Sequence, residues 1–323
     1  MIYLKNTICT LILFIITFVN LYSQENFIYK NDYLSPFLTN PACTGAEFYP
    51  IMHLSYKKQW LGFPGSPGTI LLTGNTKLGR YNFYNPKGFI NKGPLELKER
   101  IGLGAAIFYD QNGPLSNVGG LLSYAYHIRL NNDSKLSLGM SLLMMNYSLN
   151  TSILKPDQIN DDFLLADENS IFKSNFGVGI YYYSKNYFAG ISANKLLPGI
   201  SNINDPTKRN SSFFALAGYK FEKIGDSFDF EPSFAVKKIA NQNIFFDLHS
   251  KLYFQKLNWV AISYSTVRQM NIQFALRVIK AFYIGYNYGY TFSKIANYNY
   301  GSHEISLGIN MGLVGMEGIR ESF

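Results

Sequence analysis

The chain is short of charge, of cysteine and of long hydrophobic runs, and each shortage closes off a class of protein. Charged residues are 15% of its 323 positions, against about a quarter in ordinary soluble domains. A globular surface built from so few charges would be poorly solvated. Two cysteines, Cys9 and Cys43, are too few for a disulfide-stapled secreted fold. After Gln24 no apolar run reaches the roughly 18 residues from which a spanning helix is read. A mean hydropathy of −0.03 leaves no room for a bundle of such helices. What the chain has instead is aromatic weight, with 25 Tyr and 26 Phe. That content excludes disorder. The remaining class is a β-protein with two unlike faces, and the expectation is a membrane barrel.

The first residues point to export. Lys5 supplies a positive n-region, and Ile8 to Val19 form an apolar stretch too short to span a bilayer. Leu21 and Ser23 are tolerable at the −3 and −1 positions, so residues 1–23 read as a signal peptide cut before Gln24. Cys9 lies inside the apolar stretch rather than at its end, which argues against a lipoprotein signal. Cleavage would leave one cysteine, Cys43, and a formal charge of +7, since Lys5 leaves a chain of +8. No Lys/Arg block or RNA-binding motif accompanies that charge, so no nucleic-acid partner is expected. Anionic membrane lipids suit it about as well.

Beyond Gln24 the hydrophobic period is two. In 228–236, Phe228, Phe230, Pro232, Phe234 and Val236 share one face, and Asp229, Glu231, Ser233 and Ala235 the other. Met270, Ile272, Phe274, Leu276 and Val278 likewise oppose Asn271, Gln273, Ala275 and Arg277. Such charge-free stripes suit lipid, where a charge at the midplane costs about 2–4 kcal/mol. The same test predicts strands near 51–60, 68–78, 101–110, 117–129, 134–149, 174–183, 186–194, 211–221, 228–239, 241–253, 257–266, 269–279, 281–292 and 301–312. These are fourteen, an even number, as bacterial outer-membrane barrels require. The fold class is therefore all-β: a transmembrane antiparallel β-barrel spanning 51–312. The 101–110 stretch is apolar on both faces and fits least well. Lys57, Arg129, Asp229, Glu231, Lys251 and Arg277 are expected in the lumen. Tyr181–Tyr182–Tyr183 and Tyr286, Tyr288 and Tyr290 are expected in interfacial girdles.

From a periplasmic N-terminus, the inner turns are short and the outer loops 61–67, 150–173, 195–210 and 293–300 mostly longer, the usual asymmetry. Segment 79–100 is a long exception on the inner side. Residues 24–50 carry no strand pattern. They read as a plug or a periplasmic contact segment, or as a linker that only threads the chain into the first strand. A fourteen-stranded barrel is wider than the roughly eight strands that side chains alone can fill, which favours insertion. Residues 313–323 read as a periplasmic C-terminal tail.

No chemistry-bearing constellation emerges. His53, His127, His249 and His303 show no metal-ligand spacing, and no phosphate-cradling Gly-rich loop is present. Asp247 and His249 share a strand face, but a nucleophilic serine would have to come from another strand. Asp161, Asp162, Asp167 and Glu168 lack the calcium-loop pattern. The expectation is a protein without cofactor or metal, and not an enzyme.

Two motifs stand out. Before the first strand runs Asn40-Pro41-Ala42-Cys43-Thr44-Gly45. After it comes Gln59-Trp60-Leu61-Gly62-Phe63-Pro64-Gly65-Ser66-Pro67. Gly62 and Gly65 with Pro64 and Pro67 make a tight turn of low entropy. It reads either as a rigid epitope that docks a partner or as an ordinary hairpin turn held by an interfacial Trp. Both motifs resemble the opening of the PorP/SprF family of outer-membrane proteins of the type IX secretion system, with its "NPA-aromatic-x-G" and "Q-W-x-G-F-x-G-x-P" elements. Cys43 departs from the family's usual aromatic. The likeness continues through Gly113-Pro114, Tyr124-Ala125-Tyr126, Asn175-Phe176-Gly177 and Ser302-His303-Glu304-Ile305.

The resemblance implies an outer-membrane, non-enzymatic barrel in gliding and related bacteria. It implies a role in secreting, or anchoring at the surface, a protein that bears a type IX C-terminal domain. Contact with periplasmic lipoprotein components of the machine is a further implied partnership. On that reading Gln59, Trp60, Gly62, Phe63, Pro64, Gly65 and Pro67 are the candidate partner-binding residues, and Asn40, Pro41, Ala42 and Gly45 form an N-terminal motif. The alternative is a plugged outer-membrane transporter or pore for small or hydrophobic solutes.

Overall fold

A computed structural model describes residues 34–47, 50–78, 100–131, 133–151, 170–196, 211–224, 228–239, 243–254, 258–279 and 281–311. The predicted signal peptide 1–23, the predicted C-terminal tail 313–323, segment 79–99 and residues 152–169 and 197–210 lie outside the described residues.

One antiparallel sheet closes on itself. Its strands are β1 Ile51–Lys58, β2 Gly68–Leu78, β3 Ile101–Asn112, β4 Leu115–Arg129, β5 Ser134–Leu149, β6 Ser170–Ser184, β7 Tyr187–Asn194, β8 Ser212–Tyr219, β9 Phe221–Ile224, β10 Phe228–Ile239, β11 Ile244–Phe254, β12 Asn258–Ser265, β13 Gln269–Ile279, β14 Phe282–Thr291 and β15 Ser302–Asn310. Each pairs with its sequence neighbours except that β8 and β9 do not pair with each other, and β15 returns to β1 in register from Ile51↔Asn310 to Lys58↔His303. The barrel has fourteen staves, as the sequence predicts. The predicted strand 211–221 is in fact two pieces, β8 and β9, both paired to β10. The break falls at Lys220, whose backbone N–H donates to Asn186 O at 2.6 Å and whose carbonyl accepts from Asn186 Nδ2 at 3.1 Å. Those groups are spent on the β6–β7 turn rather than on the ladder.

The alternation read from sequence fixes which way each residue points. On β1, Met52, Leu54 and Tyr56 are exposed and His53, Ser55 and Lys57 are buried. On β3, Leu103, Ile107 and Tyr109 face out, while Gly102, Gly104, Ala106, Phe108 and Asp110 face in. The doubly apolar reading of 101–110 thus resolves into a lipid face and a small-residue lumen face. Lumenal charges are paired: Lys57 Nζ lies 3.6 Å from Glu304, and Lys237 Nζ 3.0 Å from Asp247. Asp229 and Glu231 face inward as expected. Asp229 meets Lys220 at 3.1 Å, and Glu231 accepts from the Tyr253 hydroxyl at 3.2 Å. Arg129 differs from expectation: it is exposed at the β4 end, where its Nε donates to Asn131 O across the short turn. The aromatic triplet differs too. Three consecutive strand residues cannot share a face, so Tyr182 points out and stacks on Tyr187, while Tyr181 and Tyr183 point in and stack on each other.

Two measurements check the barrel. Unboiled protein should run faster on a denaturing gel than boiled protein, and identical migration would count against closure. Lys57→Met should strand the buried Glu304 at the β1–β15 seam and destabilise the barrel by up to about 3 kcal/mol. The double change Lys57→Met/Glu304→Met should recover part of that loss, read as the temperature at which gel migration shifts.

Candidate functional site: a lumenal segment and a braced rim

Residues 34–47 lie inside the barrel: the 40–45 stretch rests on the inner face of β2 to β7, Ser35 reaches β1 and β2, and Leu34 packs on Trp259, Ala261 and Ala275 across the lumen. The sequence shapes them locally. Pro36 and Pro41 each start a 3-10 turn, Pro36–Leu38 and Pro41–Cys43. Proline suits that position because its fixed φ matches and its missing N–H is not needed. Asn40 caps the second turn, its Oδ1 accepting from the Ala42 N–H at 3.0 Å. Phe37 and Leu38 bury themselves in an apolar cluster with Cys43, Leu71, Ala106, Phe108, Leu121, Leu143, Met145, Phe214 and Ile239.

Polar lumen residues meet the backbone of this segment. Ser192 Oγ donates to Thr39 O at 2.8 Å and Asn194 Nδ2 to the same oxygen at 2.7 Å. Asn40 Nδ2 donates to Ile180 O at 3.2 Å. His127 Nε2 lies 2.9 Å from Thr44 O, and the Thr44 and Ser123 hydroxyls are 2.6 Å apart. The Gly45 N–H donates to Asn75 Oδ1 at 2.6 Å. Asn40, Ala42 and Thr44 are fully buried. Such pairing matters because a buried polar group left unpaired costs about 1–3 kcal/mol.

The approach is close enough to exclude side chains on the wall. A Cβ at Gly139 would collide with the Ala42 backbone, one at Gly179 with the Asn40 side chain, and one at Gly102 with the Thr44 carbonyl. These glycines sit at inward positions of β5, β6 and β3; Gly139 and Gly179 cradle Asn40-Pro41-Ala42, and Gly102 receives Thr44-Gly45. The sequence reading did not single them out. Their signal was available as glycine recurring on the inward face of neighbouring strands. Cys43 is 6% exposed, and burial pushes its thiol above the ordinary thiol range.

The second motif forms the β1–β2 turn. Gln59 N–H donates to Pro67 O at 2.9 Å, Phe63 N–H to Trp60 O at 3.0 Å and Ser66 N–H to Phe63 O at 3.1 Å. Gly62 and Gly65 both have positive φ, at 92° and 69°, as tight reversals require. Trp60 also has a positive φ, 48°, and is half-buried, its N–H donating to Ser302 Oγ at 3.3 Å. The turn is tied to loops on both sides. Leu61 exchanges backbone bonds with Gly301 and Tyr300, both at 2.8 Å, and the Gly113 N–H donates to Gly65 O at 3.2 Å. Leu61 and Phe63 remain 41% exposed, and Tyr298 and Tyr300 beside them 72% and 76%. Tyr298 and Tyr300 were not among the residues the sequence pointed to.

The two motifs are therefore not brought together. Asn40, Pro41, Ala42 and Gly45 lie in the lumen, and Gln59 to Pro67 crown the rim reached by the C-terminal end of β1. Among the described residues no group of His, Cys, Asp and Glu is arranged to hold a metal ion.

Comparison with known proteins adds the following. No curated protein matches the sequence. Among solved structures, the Acinetobacter baumannii outer membrane protein Omp33 is 9% identical, with 83% of this chain and 100% of that one covered and a TM-score of 0.46. The Ralstonia pickettii toluene transporter TbuX is 10% identical, covering 86% and 93%, with a TM-score of 0.46. The CymD monoaromatic hydrocarbon channel is 12% identical, covering 87% and 93%, again at 0.46. The family described as "Type IX secretion system membrane protein PorP/SprF" matches residues 22–309. With that match spanning nearly the whole chain over a closed β-barrel, the protein belongs to the PorP/SprF family of type IX secretion system membrane proteins and is a barrel of the outer membrane.

Proposed function

We propose that this barrel serves type IX secretion as a docking and anchoring protein, not as an enzyme or an open channel. It holds a secreted surface protein through that protein's C-terminal domain, and the braced β1–β2 rim is the surface that does so. The observation that carries this reading is the rim's geometry. The Gln59–Pro67 turn is fixed by backbone bonds to the loops on either side, yet presents Leu61 and Phe63 to solvent next to Tyr298 and Tyr300. A surface already held in one shape loses little entropy on binding, and aromatic anchors are the usual hot spots. We place this rim outside the cell, since its connections 59–67, 150–169, 195–211 and 292–301 are longer than most turns at the other end, the asymmetry usual in outer-membrane barrels.

The segment 34–47 acts in this proposal as a plug. It contacts the wall from β1 to β7 and, through Leu34, the Trp259 cluster, which supports an anchoring role over a solute pathway. Contact with periplasmic lipoprotein components of the machine is part of the same proposal. The opposing reading, a transporter or pore, predicts large and steady single-channel currents in planar bilayers.

Phe63→Asp and Gly65→Trp should each leave gel migration of the barrel unchanged. Both should cut co-purification of a protein with a type IX C-terminal domain by about tenfold, the effect of losing one good anchor. Normal retention would place the docking surface elsewhere. For the plug, Cys43 is the reporter. Its thiol should react slowly with a maleimide in the folded barrel. Gly139→Leu overpacks the cradle, an insult of about 1–3 kcal/mol, and should speed labelling by about fivefold or more. Fast labelling of the unaltered protein would remove the plug from the lumen.

A further inference from the structure

A recess of about 200 Å³ opens on the outer wall of the barrel, just below the braced rim, lined by Tyr56, Lys58, Ser66, Gly68, Tyr109 and Gln111 among others. The strand register shows how it is made. Tyr56, Ile70 and Tyr109 form one outward row across β1, β2 and β3. The next row toward the rim is Lys58, Gly68 and Gln111. Gly68 contributes no side chain to that row, so a notch is left between the lysine and the glutamine. The backbone of Gly65, Ser66 and Gly113 closes it above, joined by the Gly113–Gly65 hydrogen bond. The recess has roughly seven times the ~30 Å³ that one water occupies.

Its wall faces lipid, not the lumen. Tyr56 and Ile70 are among the most exposed side chains of β1 and β2, while their neighbours Lys57, Thr69 and Leu71 are buried inside. The charge pattern is one-sided. Outside β9, every carboxylate on a described strand, Asp110, Asp229, Glu231, Asp247 and Glu304, points inward. Lys58 and Lys238 point outward, each within the last two residues of a strand that ends at this rim. A lysine there sits at headgroup depth, where a cation is tolerated and an anion is attracted. Lys58 Nζ donates to Ser66 O at 2.7 Å, which fixes the ammonium at the notch, and an ammonium has three donors to give.

We propose that this recess binds the phosphorylated headgroup of a lipid in the leaflet at this rim. Lys58 takes the phosphate, and Gln111 with the Tyr56 and Tyr109 hydroxyls holds the polar groups beside it. The two tyrosine rings flank the first carbons of the acyl chains. The bound lipid then packs under the Gln59–Pro67 turn, so the recess supports the rim from the membrane side. This site is separate from the exposed face of Leu61 and Phe63.

Native mass spectrometry of the delipidated barrel in mild detergent tests it, with diphosphorylated lipid A as the probe. One strongly retained equivalent is expected. Lys58→Gln should weaken it by about fivefold, the effect of one cation at an anionic headgroup. Gly68→Val, which fills the notch, should weaken it at least as much, and Lys238→Gln should leave it unchanged. Gel migration checks that each variant is still a closed barrel, and Gln111→Leu stands in should either fail to assemble. Wild-type retention in Lys58→Gln or its stand-in would overturn the site. So would equal retention of phosphatidylcholine, which carries no net charge, or displacement of the lipid by equimolar inorganic phosphate.

Discussion

Every backbone N–H and C=O that enters hydrocarbon has to be paired within the protein, because no water is there to take its place. In this chain the β1–β15 seam meets that demand, since without it two strand edges would face lipid. Closure then dictates the rest. Once the sheet is a cylinder, each strand has an inside and an outside. The alternation of Leu54, Tyr56 and Ile70 against His53, Ser55 and Thr69 becomes a partition between lipid and lumen. The few charges of the chain follow the same partition. On the described strands some are paired inside, as Lys57 with Glu304, and Lys58 and Lys238 stand outward at strand ends.

Closure at fourteen staves also makes a cylinder too wide to pack solid with its own side chains. Something else must occupy the space or water will. Here the Pro36–Gly45 stretch does so on one side, and the wall is thinned to receive it. Gly102 and Gly139 are places where a methyl group would strike the inserted backbone, and Gly179 one where it would strike the Asn40 side chain. Glycine weakens a strand interior, by roughly 0.5–1 kcal/mol relative to alanine. In the lumen that loss is offset by apolar burial of Phe37 and Leu38 and by paired backbone groups at Thr39 and Thr44. The stretch is short, proline-stiffened and capped by its own Asn40, so little chain entropy opposes its docking.

The barrel was legible in the sequence because its signal is local: period two needs only the next few residues. Strands β2, β5, β10 and β13 match their predicted limits, and ends elsewhere shift by a few residues. Long-range facts were less legible. Tyr181 and Tyr183 were read as interfacial because aromatics cluster at strand ends, and only the pairing with β7 and the inserted segment shows that they face inward. The break at Lys220 depends on Asn186, some thirty residues away in the chain. The Gln59–Pro67 motif was visible as a turn, but its bracing by Gly301 and Gly113 joins three separate loops. The glycine cradle was written in the sequence as inward glycines, and it had no meaning until a partner for it was placed.

The two motifs sit at opposite ends of the same strand, and β1 ties them into one body. Inside the lumen, the Ser35 hydroxyl lies 3.4 Å from His53 Nδ1 and 2.9 Å from the Thr73 hydroxyl, while Tyr283 bonds the other His53 nitrogen. Farther along β1, Lys57 meets Glu304, and past its end Trp60 N–H reaches Ser302. The contacts therefore run from the inserted segment, along the β1–β15 seam, to the turn on the rim. In the docking role proposed above, a rim held in this way would meet its partner without first having to be ordered. That is the property an anchor needs, and one that a channel does not.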